Sequence, residues 1–470
     1  MKTMDLFAPV VRKVIAPAWA RWEHSPYLRH YGRLLETQYS SAETIHERQW
    51  ERLTEMVRHA YWTSPFWQRR LHGCGIRPSE RLTPERFCGL RVLHRRDIQR
   101  HYDEMRSIDY RDAAVHRHKT SGSTGEAVEI VVDDAAQQFK RGCTLRSDVW
   151  SGWRLGERIA AVWGNPEHLK HGWRGWLRNW LLERKTCLDT LRMDEAEIAR
   201  FVALLRRRPP SLLMGHAHSL YLLAQYAQDH NIAWIRPRGI VSTAMVLHGW
   251  ERRAIEMAFG CPVTNRYGCE EVSLIACECE QHSGLHVNAD GVYVEILRPD
   301  GSPALPGETG AVVATDLQNR AMPMIRYQLG DTAAWSDRTC PCGRGLPMLE
   351  AVTGRVADYV VTPEGKWISG ISLTENFAVM VPGIVQLQIV QETVDRLVFR
   401  IVRGPAFGPT SLETIRRVAR ERFGPSISYT CEYVGRIPQE RSGKYRFCIS
   451  KVASRLQPWE RGSPTFHAAR

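Results

Sequence analysis

No run of about 20 uncharged apolar residues occurs, which excludes a hydrophobic transmembrane helix. Near the start, Arg12 and Lys13 interrupt the apolar residues ahead of Ala18-Trp19-Ala20, so no clean signal-peptide core forms. The 12 cysteines are scattered, without the spacing of a disulfide framework. Together these absences predict a soluble, cytoplasmic chain in a reducing compartment. There is no GxxxxGK[ST] phosphate loop, no helix-turn-helix signature, no RNP-type motif and no internal repeat. Apolar residues at 43% and charged residues at 24% exclude a disordered chain.

What is present is length and positive charge. A chain of 470 residues exceeds one compact core, so two or three domains are expected. The net charge is +13, and residues 1–118, with 21 Lys+Arg against 14 Asp+Glu, hold more than half of it. This basic, largely helical N-terminal region, including Ala42–Arg58, is expected to form part of a larger body. Its excess charge has two readings, a solvated helical face or contact with an anionic surface. Nucleic acid is not expected as a partner.

From about 190 to 268 the pattern alternates. Met193–Arg207, Ser219–Gln228 and Gly249–Phe259 have helical spacing, and Ser211–Gly215, Gly239–Ser242 and Val263–Tyr267 are apolar and strand-like. Such alternation predicts an α/β body with a largely parallel sheet. Between 285 and 334 helices give way to strands at Val287–Leu297, Gly310–Thr315 and Met324–Tyr327, a β meander packed on that body. Beyond residue 355 the spacing predicts a small α+β unit, with strands at Val385–Gln391, Arg396–Val402 and Tyr429–Val434 and a helix at Leu412–Phe423. The fold class is therefore α/β: a large N-terminal body of residues 1–118 and 119–355 with a β meander subdomain, then a small α+β C-terminal unit over 356–456, which the resemblance given below implies to be a mobile lid. Residues 457–470 are expected to be a disordered tail.

Five segments carry possible chemistry. Thr120, Ser121, Gly122, Ser123, Thr124 and Gly125 form a hydroxyl- and glycine-rich loop suited to phosphate oxygens. Tyr267-Gly268-Cys269-Glu270-Glu271 follows a strand and offers a carboxylate at a strand end. Asn319–Asp331 ends in Gly-Asp, a carboxylate able to take two hydrogen bonds from a ribose diol. Gly354-Arg355-Val-Ala-Asp358 marks the shift to the small unit, and Gly443-Lys444 lies near the end of the ordered pattern.

In their order and spacing these segments resemble the adenylate-forming (acyl-AMP synthetase and ligase) superfamily, in particular its phenylacetate–CoA ligase and capsule-biosynthesis-protein branch. Leu90–Ile98, Glu278-Cys279, Gly284-Leu-His286 and Cys340-Pro-Cys342-Gly-Arg344 add to the likeness, which spans roughly residues 45–452. The resemblance implies ATP-dependent adenylation of a carboxylic acid to an acyl-AMP with release of pyrophosphate, followed by transfer to coenzyme A or another thiol. It implies Thr120–Gly125 at the β- and γ-phosphates, Tyr267 and Gly268 around the adenine and Asp331 on the ribose. It further places Arg355 on the ribose or phosphate, Asp358 at the hinge, Glu271 on Mg²⁺ and Lys444 as the catalytic lysine of the lid. Two positions depart from the family pattern: Glu270 stands where Thr or Ser is usual, and Ala357 replaces the first hinge aspartate.

The cysteines add a candidate structural zinc centre. Cys340-Pro-Cys342 is a tight knuckle, and Cys277–His286 supplies the complementary half. The branch pattern implies Cys279, His286, Cys340 and Cys342, with His282 as the rival imidazole. Trp163, Asn165, His216 and Tyr221 are candidates for an acyl pocket, with core packing as the alternative. Two other functions fit the same motifs. One is an adenylate-forming amide ligase or adenylyltransferase in secondary-metabolite or capsular/exopolysaccharide biosynthesis, and the other a non-catalytic nucleotide-binding scaffold. The oligomeric state is open, a homodimer included.

Overall fold

The structure, a computed structural model, describes residues 5–110, 115–120, 128–163, 172–190, 193, 195–245, 247, 249–298, 300–353, 359–364, 367–369, 373, 377, 380–435, 437 and 448–452. It divides into two compact units, one spanning 1–120 with 129–355 and the other including 356–470.

In the large unit a two-stranded pair, β1 (Val115–Thr120) and β2 (Val128–Asp133), precedes the main sheet. Asp133 ends β2 and caps the helix Asp134–Trp150, its carboxylate accepting from the Ala136 N–H at 2.8 Å. The main sheet begins with β3 (Ile159–Trp163), β4 (Lys185–Asp189), β5 (Leu212–His216), β6 (Gly239–Thr243) and β7 (Val263–Cys269). These five pair in parallel in the order β4-β3-β5-β6-β7. The helices Glu195–Arg207, Ala217–Asp229 and Gly249–Phe259 are the crossovers. Their apolar faces bury Phe201, Leu205, Leu220, Leu223, Ile255 and Phe259 against Ala160, Leu213 and Ile240 of the strands. Strands covered by helices become continuous apolar runs, which is why the alternation from 195 to 268 is legible without coordinates.

At β7 the sheet changes sense. β8 (Ser273–Glu278), β9 (Leu285–Val287), β10 (Val292–Leu297), β11 (Gly310–Asp316), β12 (Tyr327–Trp335) and β13 (Met348–Thr353) continue it antiparallel, giving 11 strands in the order β10-β11-β12-β13-β9-β8-β7-β6-β5-β3-β4. The expected meander is thus hydrogen-bonded into the same sheet. Two details differ from the sequence pattern. The apolar run 287–297 is two strands, because the turn Asn288–Gly291 interrupts it and carries the chain from β9 to β10 at the sheet edge. The strand expected to end at Tyr327 instead begins there, after Arg326 in the left-handed region at φ +50°.

The small unit holds β14 (Tyr359–Val361), β15 (Trp367–Ser369), β16 (Ile384–Thr393), β17 (Arg396–Arg403), β18 (Ser428–Tyr433) and β19 (Cys448–Ser450). Four of them form a sheet in the order β18-β17-β16-β19. The helix Pro409–Phe423 belongs to the same core, where Phe377, Phe399 and Phe423 cluster with centroids 5.2–6.3 Å apart.

Candidate active site and metal centre

Ligands of open α/β sheets bind at the carboxyl ends of the strands, where strand order or direction switches. Here that edge carries Trp163 at the end of β3, His216 at the end of β5, Thr243 at the end of β6 and Tyr267–Cys269 at the end of β7. The strand β7 has a parallel neighbour, β6, on one side and an antiparallel one, β8, on the other. The β7–β8 hairpin is tight: Ser273 sits at φ +72°, and a Cβ on Gly268 would lie 2.6 Å from the Ser273 carbonyl oxygen. Only glycine fits at 268 without moving backbone.

The hairpin turn aims its two carboxylates differently. Glu271 is buried, and its Oε1 accepts from Arg95 Nη2 at 3.1 Å and from the Tyr327 hydroxyl at 3.2 Å. The Glu270 side chain is two-thirds exposed and lies 4.0 Å from His118 on β1. Tyr267 donates its hydroxyl to Asp331 Oδ2 at 3.0 Å, joining β7 to the Gly330–Asp331 bend of β12. Gly330 takes φ +85° there. Burial pushes the Cys269 thiol well up, and the nearby Glu271 and Asp331 carboxylates push it the same way. Tyr267, Gly268, Glu271 and Asp331 therefore share one edge of the sheet.

Arg95 and Tyr327 were not singled out from sequence. Arg95 lies within Leu90–Ile98, a stretch that carried family likeness but no assigned role. The link from this stretch to the site is backbone pairing: Leu93 N–H donates to Arg326 O at 2.8 Å, and Gln328 N–H donates to Leu93 O at 3.0 Å. Asn319, at the head of the Asn319–Asp331 segment, donates to Val131 O at 2.8 Å and Met322 O at 3.2 Å. It holds the chain entering β12 against the end of β2.

Trp163 and His216 pack with centroids 4.3 Å apart and planes tilted by 48°, and burial pushes the His216 imidazole down to about 4, so it is neutral at pH 7. The Tyr221 hydroxyl accepts from Gln225 Nε2 at 2.5 Å within its own helix. Thr120 is the last residue of β1. Ser121, Gly122, Ser123, Thr124, Gly125, Asn165, Arg355, Asp358 and Lys444 lie outside the described residues.

A second cluster forms where β8, β9 and the 340–344 knuckle meet. Donor atoms of Cys279, His286, Cys340 and Cys342 all lie within 4.8 Å of one another. Cys279 Sγ is 3.6 Å from Cys340 Sγ, and Cys342 Sγ is 3.3 Å from His286 Nε2. A tetrahedral zinc with Zn–S near 2.3 Å and Zn–N near 2.0 Å requires separations of roughly 3.8 Å and 3.6 Å, so the donor set fits with small adjustment. The sulfurs also receive backbone N–H groups, Gln281 onto Cys279 at 3.4 Å and Arg344 onto Cys342 at 3.5 Å. His286 Nδ1 lies 3.4 Å from the Leu346 carbonyl, which fixes Nε2 as the free lone pair. Burial lowers the His286 pKa, keeping the ring neutral as a ligand must be. His282, the rival, faces Glu278 instead, with Nδ1 3.2 Å from Oε2.

Comparison with known proteins agrees with this architecture. Residues 360–451 match the CapK C-terminal domain family. The chain is 24% identical over 452 residues to a phenylacetate-coenzyme A ligase of Thermus thermophilus, covering 86% of this chain and 96% of that one. It is 23% identical over 270 residues to protein CapK of Staphylococcus aureus, a match spanning 55% of this chain and 57% of CapK. Among solved structures, 2-hydroxyisobutyryl-CoA ligase, captured with 2-HIB-AMP and CoA in the thioesterification state, superposes with a TM-score of 0.60 at 20% identity, over 91% of this chain and 94% of that one. The fold is that of an adenylate-forming ligase. In sequence the chain is similar to phenylacetate–CoA ligases and to CapK, at 23–26% identity. Among the described residues no helix is long and apolar enough to cross a membrane.

Proposed function

We propose that this AMP-forming ligase joins a carboxylic acid to coenzyme A or another thiol through an acyl-adenylate. A carboxylate oxygen of the acid attacks the α-phosphorus of ATP. The bond to the β-phosphate bridging oxygen breaks, and pyrophosphate leaves with its electron pair. A thiolate then attacks the acyl carbon, the acyl–phosphate bond breaks, and AMP departs. The observation that carries this reading is the convergence of Glu271 and Asp331 at the end of β7, tied there by Arg95, Tyr327 and Tyr267.

The first step brings two anions together, so positioning and charge stabilisation do most of the work. Asp331, held by the Tyr267 hydroxyl, is the acceptor for the ribose hydroxyls, and Gly268 lets the β7–β8 hairpin close tightly beside it. Glu271 would hold Mg²⁺, which neutralises phosphate charge when bound. Arg95, already paired to Glu271, holds that carboxylate in one orientation in a buried place. Thr120–Gly125 and Arg355 would take the phosphates, and Lys444 would supply the ammonium for adenylation and withdraw for transfer as Asp358 turns. Trp163 and His216 would form one wall of the acid pocket, an apolar and uncharged one, since His216 stays neutral. Cys279, His286, Cys340 and Cys342 would hold a structural zinc with four protein donors and no open position.

A screen for ATP-dependent pyrophosphate release over aryl, fatty and amino acids tests the proposal. At least one acid is expected to turn over, and Lys444→Ala is expected to lower that rate roughly a hundredfold or more. Full activity in Lys444→Ala would remove the lysine from the mechanism.

A further inference from the structure

The exposed large apolar side chains are unevenly placed. Of 18 among the described residues, eight fall within two short segments, 6–22 and 173–180. The first is three abutting helical pieces, Ala8–Val10, Val11–Ile15 and Ala16–Trp22. Its inner face is docked: Val11 and Ala16 share a core with Leu182, Arg12 Nε donates to Leu155 O at 3.0 Å, and a Cβ on Gly156 would meet the Ala8 carbonyl at 2.6 Å. Its outer face is apolar as well. Leu6 is 76% exposed, Val14 60% and Trp22 64%, with Phe7 and Val10 beside them. A helix apolar on both sides is ordinarily covered on both sides.

The second segment adjoins the first through that shared core. Trp173, Trp176 and Trp180 recur at spacings of three and four, which places them on one helical face, and they are 69%, 63% and 55% exposed. Trp176 and Trp180 stack at 6.0 Å. The charges around both segments are of one sign. Lys13 and Arg21 stand exposed on the outer face of the first helix, and Arg174 lies against Trp173 on the second. The nearby acids are paired: Arg178 with Glu23 at 3.3 Å, Arg178 and Lys185 with Glu183 at 3.1 Å and 3.6 Å, and Arg184 with Asp5 at 2.8 Å.

We propose that this face is a peripheral docking surface for an anionic lipid bilayer. Tryptophans and aliphatic side chains standing proud of the surface, fringed by Lys and Arg, match the acyl–headgroup boundary of a membrane carrying acidic lipids. A two-fold contact between copies would bring Lys13 and Arg21 against like charges, which disfavours self-association through this face. The same face accounts for part of the basic excess of residues 1–118 that no nucleotide-binding residue uses.

The test is co-sedimentation of the full chain with phosphatidylcholine vesicles, with and without about 30 mol% phosphatidylglycerol. Binding is expected only with the acidic lipid, and is expected to fall at least tenfold between roughly 50 mM and 500 mM salt. Trp173→Ala/Trp176→Ala/Trp180→Ala and, separately, Lys13→Glu/Arg21→Glu are each expected to weaken binding at least tenfold while the unfolding temperature stays unchanged. Trp234→Ala, an exposed tryptophan elsewhere, is expected to bind normally. Failure to bind acidic vesicles at low salt would overturn the proposal, as would wild-type binding by both variants. A dimer in light scattering that both variants abolish would assign the face to self-association and overturn it as well.

Discussion

Replacing Arg326 with Met tests how the fold holds the site. Arg326 is 2% exposed and makes a two-pronged pair with Glu295, Nε to Oε2 at 3.0 Å and Nη2 to Oε1 at 2.8 Å. Its Nη1 donates to the Cys88 carbonyl at 2.5 Å and also reaches the carbonyls of Leu90 and Phe87. One side chain thus ties β12, β10 and the segment leading to Arg95. Burial raises the Glu295 pKa and the arginine pulls it back down. Methionine fills most of the volume but strands the carboxylate and those carbonyls. Breaking a buried pair on one side costs about 3–5 kcal/mol. At roughly 2 °C per kcal/mol for a unit of this size, that is a fall of about 6–10 °C in unfolding temperature by differential scanning fluorimetry. Arg326→Met/Glu295→Leu should recover at least half of the loss, because the stranded charge is gone. A single variant within about 2 °C of wild type would refute the reasoning.

Three further outcomes are expected. Purified protein should contain one zinc per chain by elemental analysis, lost in Cys342→Ser and retained in His282→Ala; zinc retained in Cys342→Ser would break the proposed ligand set. Tyr267→Phe should raise the KM for ATP several-fold with kcat little changed, since Asp331 loses its orienting hydroxyl; a change confined to the KM of the acid would contradict this. His216, buried and neutral, has a folded pKa of about 4 against an ordinary 6.5. Below pH 6.5 the unfolded chain therefore binds the extra proton, so stability is complete above that pH and declines as pH falls towards 4. The unfolding temperature of His216→Asn should fall less than that of wild type between pH 7 and pH 4.5, and parallel pH profiles would contradict the assignment.

The parts of the fold legible in sequence are those whose cause is local. Helices and parallel strands from 195 to 268 announce themselves because each face repeats at its own period, and the observed Gly249–Phe259 helix matches the pattern residue for residue. In the small unit β16, β17 and β18 and the helix were legible, the helix starting at Pro409 instead of Leu412 because proline is tolerated in a first turn, whereas the three-residue strands β15 and β19 were not. The antiparallel region was less so. The break at 288–291 falls at Asn288-Ala-Asp290-Gly291, turn residues set inside an apolar run, and Arg326, left-handed just before β12, is paired with Glu295 across 31 positions. The site divides the same way. Tyr267, Gly268, Glu271 and Asp331 sit in short segments at strand ends, where their residue types stand out. Arg95 reaches Glu271 across 176 positions, and no local pattern encodes such a contact. The choice of His286 over His282 rested on family likeness; in the structure the His286 ring faces sulfur and the His282 ring a carboxylate.

The central claim is that ATP is split between its α- and β-phosphates by a carboxylic acid. The most direct measurement is the nucleotide product of turnover, with hydroxylamine present to trap the activated acyl group. AMP and pyrophosphate in equal amounts, matched by acyl hydroxamate, are predicted. ADP and phosphate in their place would contradict the account.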